Sequence, residues 1–274
     1  MVFRSVCTTF APENRMKMIQ YRFFLVLLAA ILMVGCGSEK EQKETSVDST
    51  QIQPEGDMTV YGMVCDGCND TIVIYLPVSY SGMYDGSNPD TVDILDAMRN
   101  HQVFGKPHIG DKLAMLLNPN DSSKADIVVV TDQLMGSWCY KVLPTLRQTA
   151  DMEGQTEKES LEQLPDSIQE LLTIEREYGL NIKSNHTVFP IGAYRQATTI
   201  DEEMPVEYPV AKRYREWRLY NGKLVLLEAF TDSLGQLKTI GSDTAEFVHL
   251  TTDTLVLRLD NEEKGFYRKV EAEQ

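Results

Sequence analysis

Cys65-Asp-Gly-Cys68 is the sharpest chemical pattern in the sequence. Two thiols at this spacing can close a small disulfide, remain a pair of inert thiols, or give two ligands to a soft metal. A structural metal site wants four ligands. No second Cys-x-x-Cys occurs, and neither His101 nor His108 stands at a spacing that recruits it. A thioredoxin-like redox pair opens a helix near a βαβ pattern, whereas this pair lies between two strand-like runs. Metal or redox sensing through Cys65 and Cys68 is therefore the alternative reading of the chain. Cys139 follows Trp138 directly and is expected in apolar surroundings.

Other chemistries find little support. His101, His108, His186 and His249 are scattered, without a His-Glu-x-x-His spacing. There is no Gly-x-Ser-x-Gly, no phosphate-binding loop and no dinucleotide glycine pattern. The expectation is a non-enzyme without a cofactor. The chain carries 26 Lys plus Arg against 41 Asp plus Glu. Residues 1–35 hold Arg4, Arg15, Lys17 and Arg22 but only Glu13, which leaves 22 against 40, a net of −18, for residues 36–274. A chain this acidic lacks the basic footprint that nucleic acid requires, and it does not adhere passively to anionic lipid. Acidic pairs such as Glu202-Glu203 then read as solvated surface.

The elements that must position these residues are mostly strands. From 58 to 133 the sequence reads as five short strands: Thr59–Val64, Thr71–Leu76, Thr91–Ala97, Ile109–Leu117 and Ala125–Thr131. Asp66-Gly67 is a hairpin-type turn between the first two. Five short strands over such a length suit a small OB-like or half-barrel domain. From 134 to 274 a second β domain is expected. Its one helix, Glu157–Tyr178, rests on the 3–4 spacing of Leu161, Leu164, Ile168, Leu171 and Leu172, with a restart at Pro165-Asp166 and a stop at Gly179. Asn221-Gly222 between Tyr214–Tyr220 and Lys223–Glu228 is the strongest hairpin signal in the chain. A two-residue loop pairs Tyr220 with Lys223, Leu219 with Leu224, Trp217 with Leu226 and Arg215 with Glu228, the last as a salt bridge. Ser233-Leu-Gly235 reads as a turn, and Thr244–Leu250, Thr254–Leu259 and Phe266–Val270 complete an antiparallel meander. The fold class is mainly β. Trp138, Trp217, Leu219, Leu224 and Leu226 either line a ligand cavity or form plain core.

The N-terminus supplies an address. Phe23–Val34 is a run of 12 apolar residues behind Lys17 and Arg22. It is too short for a transmembrane helix, which needs about 20 residues, and fits the apolar core of a secretory signal. Met16 reads as the working start. The run ends in Met33-Val34-Gly35-Cys36, which resembles the lipobox of bacterial lipoproteins, with Met33 where leucine is usual. That resemblance implies a signal peptide over 1–35, an acylated Cys36 and a membrane anchor. Residues 36–57 then form the lipidated cysteine and a polar, flexible linker. Glu39-Lys40-Glu41 resembles the charged export tags of surface lipoproteins in some Gram-negative gut bacteria. The implied location is the cell envelope, at the outer membrane, facing the periplasm or the surface.

Gly136-Ser-Trp138 looks like the Gly-x-Trp opening of lipocalins. Together with Trp217, Asn221-Gly222-Lys223-Leu224, Asp243-Thr244 and Leu250–Leu257, it resembles the lipocalin-like lipoproteins of gut bacteria over about residues 134–270. This implies a binding or structural role toward a small apolar ligand or an envelope protein, although a helix placed before most strands departs from the pattern. Cys65-x-x-Cys68 also resembles the motif of an envelope-stress and copper-linked lipoprotein with a lipocalin-like half-barrel. Asp followed by Ser or Thr, as at Thr71, Thr91, Ser167, Ser233, Thr244 and Thr254, resembles an O-glycosylation acceptor motif of exported proteins. The plain alternative is that such pairs end turns and begin strands.

Overall fold

A computed structural model describes residues 52–84, 86–147, 164–192, 206–232 and 237–270. The signal-like run, Cys36, most of the linker, residues 157–163 of the expected helix and the Ser233–Gly235 turn lie outside them. Residues 48–274 form one compact unit. The described chain is mainly β, built as two barrels.

The first barrel contains β1 (Thr59–Val64), β2 (Ile72–Val78), β3 (Asp90–Asp93), β5 (Lys112–Asn118) and β6 (Asp121–Val130), with a two-residue strand β4 (Val103–Phe104) added beside β6. Its order is β3-β2-β1-β5-β6, and a parallel pairing of Asp93 with Lys124 returns β6 to β3. This is the five-stranded closed barrel expected of an OB-like domain. The β1–β2 hairpin turns where the sequence indicates. Gly67 takes the left-handed φ of 93°, and the Asn69 carboxamide accepts the N–H groups of Thr71 (2.8 Å) and Ile72 (2.9 Å). The third strand is shorter than expected. The Asp93 carboxylate accepts the Leu95 N–H at 2.8 Å, and the chain leaves the sheet for a one-turn helix, α1 (Leu95–Arg99). Val73, Val92, Leu113, Met115, Val128 and Val130 fill the interior, all almost fully buried.

A short helix, α2 (Thr131–Leu134), leads into the second barrel. Its eight strands are β7 (Gly136–Val142), β9 (Arg176–Ile182), β10 (Val188–Ile191), β12 (Tyr214–Tyr220), β13 (Lys223–Thr231), β14 (Leu237–Leu250), β15 (Thr254–Leu259) and β16 (Glu262–Arg268). They neighbour one another in chain order, and β16 returns to β7. This is an up-and-down antiparallel barrel of lipocalin-like architecture. Its one gap, between β10 and β12, is stitched by a bridge of Thr187 with Glu216, by Trp217 N–H to the His186 carbonyl (2.9 Å) and by Trp217 Nε1–H to the Lys183 carbonyl (2.8 Å). A two-stranded ribbon of β8 (Thr145–Leu146) and β11 (Val206–Glu207) lies outside it.

The Asn221-Gly222 hairpin forms with φ of 49° and 77°, both left-handed as a type I′ turn requires. Three cross-strand pairs are as expected: Tyr220–Lys223, Leu219–Leu224 and Trp217–Leu226. The fourth differs. A bulge between Tyr214 and Glu216 places Tyr214, not Arg215, opposite Glu228. Such an extra residue bends and twists a strand, as curling this sheet toward closure requires.

The expected helix is corrected most. Only α3 (Asp166–Leu171) is helical among the described residues of that stretch, beginning at Pro165-Asp166 as anticipated, and it buries no residue. The rest has a competing period of two: Tyr178, Leu180 and Ile182 are buried on one face of β9. Gly179 is a strand residue, not a helix stop. A Cβ there would overlap the Trp138 carbonyl oxygen and crowd the Cys139 backbone, so glycine allows β9 to cross close over β7. Gly179→Ala is expected to destabilise the fold by about 1–3 kcal/mol, as overpacking does. Gly265→Ala, where an added Cβ meets nothing within 4 Å, should fall within about 0.5 kcal/mol of wild type. Urea unfolding of the two variants measures the contrast.

Candidate functional site

Residues at alternate positions of β7, β9 and β13–β16 point into the second barrel, and the two ends of its interior differ. At one end Trp138, Leu224, Ala245 and Leu255 are fully buried. Trp138 Nε1–H donates to the Leu134 carbonyl (2.7 Å), and the Arg268 guanidinium lies 4.2 Å above the indole ring. That guanidinium also donates to the carbonyls of Met135 (Nη1, 2.6 Å), Gln133 (Nη2, 2.5 Å) and Thr252. This end is sealed.

The other end is open. A cavity of about 530 Å³ runs in from it, within the size range of small-molecule sites. Its walls are Tyr140, Val142, Tyr178, Leu180, Leu226, Leu257 and Phe266, and Lys212, Asp243, Glu262 and Lys264 stand toward its rim. The aromatic rings brace one another: Tyr140 meets Phe266 edge-on at 5.3 Å and Tyr178 at 6.1 Å.

A strap, residues 206–213, borders this mouth and contributes Pro209, Val210 and Ala211 to the lining. Its β11 end pairs with β8 and buries Val206, and exposed polar contacts hold the rest. Tyr208 O–H donates to the Ile174 carbonyl (2.6 Å), Arg176 stacks on the Tyr208 ring (3.8 Å), and Lys212 Nζ reaches the Asp243 carboxylate at 2.5 Å. Tyr214 donates to the same carboxylate. Burial works against ionisation of Asp243, but the hydrogen bonds from Lys212 and Tyr214 outweigh it and hold the carboxyl below its ordinary range. The bond to Asp243 raises the Lys212 ammonium above its own. Burial, then the hydrogen bond to Asp243, pushes the Tyr214 phenol far up, so it stays a neutral donor.

The sequence candidates divide among several places. Leu226 lines the cup, whereas Trp138 and Leu224 belong to its sealed end. Trp217 and Leu219 are buried at the border with the first barrel and line a separate cleft of about 50 Å³. There Tyr61 meets the Tyr80 ring edge-on at 5.4 Å, and Tyr80, His186 and Trp217 stack in series at 4.6 and 5.1 Å. Cys65 and Cys68 lie in the β1–β2 hairpin as unbridged, half-buried thiols. Cys68 Sγ accepts the Ile74 N–H at 3.1 Å and points its own S–H toward the Cys65 carbonyl (3.2 Å). No cluster of three or more potential metal ligands occurs among the described residues. Cys139 is fully buried, and burial, helped by Glu177, raises its thiol pKa. Of the hydroxyls in Asp-Ser/Thr pairs, Thr91, Ser167 and Thr244 are exposed and Thr71 and Thr254 half-buried; Ser233 lies outside the described residues.

The cup's Tyr140, Tyr178, Phe266, Lys264 and Arg268 were not singled out in the sequence. Their signal is the period of two that starts at Trp138 and ends at Arg268, and it is legible only once β7, β9 and β16 are known to adjoin.

No family model and no curated protein matches this chain. Among solved structures the chain is similar to a lipocalin-like protein from Bacteroides thetaiotaomicron VPI-5482, with 18% identity and a TM-score of 0.25 over 50% of this chain and 97% of that one. The fold assignment rests on the strand order described above.

The Lys212–Asp243–Tyr214 latch carries a pH signature. Folding depresses the Asp243 pKa, so its stabilisation is present above about pH 4 and is lost as pH falls through the folded value. Asp243→Asn should be less stable than wild type at pH 7, and its unfolding free energy should fall less steeply between about pH 4 and pH 2. Urea titrations across that range test this; an unchanged acid limb would count against the latch.

Proposed function

We propose that this chain is a non-catalytic binding protein, tethered in the cell envelope, whose cup takes a small apolar molecule. The observation that carries the reading is the asymmetry of the second barrel: sealed by Trp138 and Arg268 at one end, hollow and apolar at the other. Eight-stranded barrels are wide enough to hold one small ligand. A wall of aliphatic and aromatic side chains recognises apolar surface, and water expelled from it supplies the driving force.

The tether is supported by the sequence pattern from Phe23 to Cys36. In this reading the acyl chains on Cys36 hold the protein at the outer membrane, and the acidic body stays off the anionic lipid surface.

Two experiments test the two halves. N-phenyl-1-naphthylamine, a neutral apolar fluorophore, should bind the delipidated protein. Val142→Trp, which fills the mouth from a half-buried position, should weaken that binding by about tenfold or more without lowering the unfolding midpoint. Unaltered binding would remove the cup from consideration. For the tether, Cys36→Ala should abolish incorporation of an alkynyl palmitate analogue in cells; a variant still labelled at wild-type level would refute acylation at Cys36.

A further inference from the structure

Resting on the binding reading above, we infer that the occupant of the cup is a single-chain amphiphile with an anionic head, and that Lys264 reads that head.

The charged groups around the mouth differ in their partners. Asp243 is engaged by Lys212 and Tyr214. Glu263 pairs with Arg258 at 2.7 Å, and by strand alternation it faces away from Lys264. Asp260 and Glu262 flank the tight turn between β15 and β16, where Asp260 and Asn261 take left-handed φ of 50° and 67°. Glu262 and Asp260 are both exposed there, at the rim and not down the wall. Lys264 is also exposed at the mouth, but its contacts differ from theirs. It alternates with Phe266 and Arg268 on the inward face of β16, and its ammonium lies 3.8 Å from the centre of the Tyr140 ring. Among the described residues no carboxylate comes within ion-pair distance of it.

Such an ammonium is held in place but not neutralised. The ring face stabilises the cation and fixes its position over the aromatic wall. An ammonium has three donors, and the ring occupies one side of it. The remaining donors stand at the mouth of a cavity whose deeper walls are apolar. A ligand with one anionic group and one apolar chain satisfies both at once: the head at Lys264, the chain along Leu226, Leu257 and Phe266. The lone rim carboxylates oppose a second negative charge, so a singly charged head fits better than a phosphate ester carrying two.

The test uses the mature chain from residue 36 onward carrying Cys36→Ala, with three probes of equal tail below their micellar concentrations: dodecyl sulfate, dodecyl maltoside and dodecyltrimethylammonium. Affinity is read by displacement of N-phenyl-1-naphthylamine and by calorimetry. Dodecyl sulfate is expected to bind at least about tenfold tighter than the trimethylammonium probe, as one charge-assisted hydrogen bond supplies. Lys264→Met should remove that preference, and Lys264→Glu should reverse it. Lys223→Met, on the outer face against Glu246, should change nothing. Equal affinity for the charged probes, a preference for the cation, or an equal loss in Lys223→Met would each overturn the inference while leaving the cup reading intact. If neither the fluorophore nor any dodecyl probe binds, the cup reading fails and the inference with it.

Discussion

The Arg268 guanidinium over Trp138 is the contact on which most of the molecule's architecture converges. It belongs to the last strand, yet it binds the carbonyls of Gln133 and Met135, the segment joining the two barrels, and the carbonyl of Thr252 between β14 and β15. One side chain therefore closes the circle of eight strands, caps the sealed end and fixes the connection to the first barrel. Burial lowers the Arg268 pKa, with Asp253 opposing, but an arginine stays charged. The carbonyl oxygens and the indole face take the place of the water it loses. Lysine could not make the same contact, because three carbonyls bound at Nε, Nη1 and Nη2 while the indole lies against the face match a planar guanidinium and not a single ammonium.

The two barrels are joined through that same end. Phe104 of β4 meets Phe247 of β14 at 5.3 Å, and the Gly105 N–H donates to the Leu250 carbonyl at 3.1 Å. The Asn221-Gly222 turn seats against the first barrel. Its Asn221 carboxamide accepts the Met58 N–H (2.8 Å), and its Asn221 N–H reaches the Asp57 carboxylate (3.0 Å). A Cβ at Gly222 would clash with Ile127. Phe104, Ala114 and Val129 accordingly belong to the same buried cluster as Trp138 and Leu224. The first barrel thus works as the floor of the second, and the mouth of the cup faces away from it.

Local sequence rules read this fold well where chain neighbours pair and poorly where they do not. The Asn221-Gly222 hairpin was legible because turn chemistry and the apolar pattern fix the same register; only the bulge at Arg215, imposed by closure, was hidden. β1 and β15 stand within the bounds their residue types indicate. The stretch ending at Tyr178 misled because Leu164, Ile168, Leu171 and Leu172 obey a helical period, while the three residues that decide the matter, Tyr178, Leu180 and Ile182, follow a strand period beside them. Gly179 looks like a helix terminator in sequence and is a crossing point in space. The cup was half legible. Trp138, Trp217 and the leucines were rightly seen as buried, but burial alone does not separate a sealed end from a hollow one.

What separates them is volume along each strand. On β7 the inward positions run Gly136, Trp138, Tyr140, Val142, and on β16 they run Arg268, Phe266, Lys264, Glu262. At the sealed end the largest residue of one strand meets the arginine of the other, and the layer is filled. Two residues further along, Tyr140 faces Phe266 edge-on and lies against the wall instead of crossing the lumen. At the mouth the pair is Val142 with the long, polar Lys264 and Glu262, which keep their charged ends near water. The taper from indole to phenol to valine leaves space that no neighbouring strand refills, since Leu226 and Leu257 are no larger than the leucines of the sealed end. Packing density near that of a crystal is the default for a protein interior, and an unfilled apolar layer forfeits dispersion contacts. A barrel that fills one end completely and leaves the other hollow, with a strap bordering the opening, has its packing concentrated at Trp138 and Arg268 and its free volume at the opposite pole.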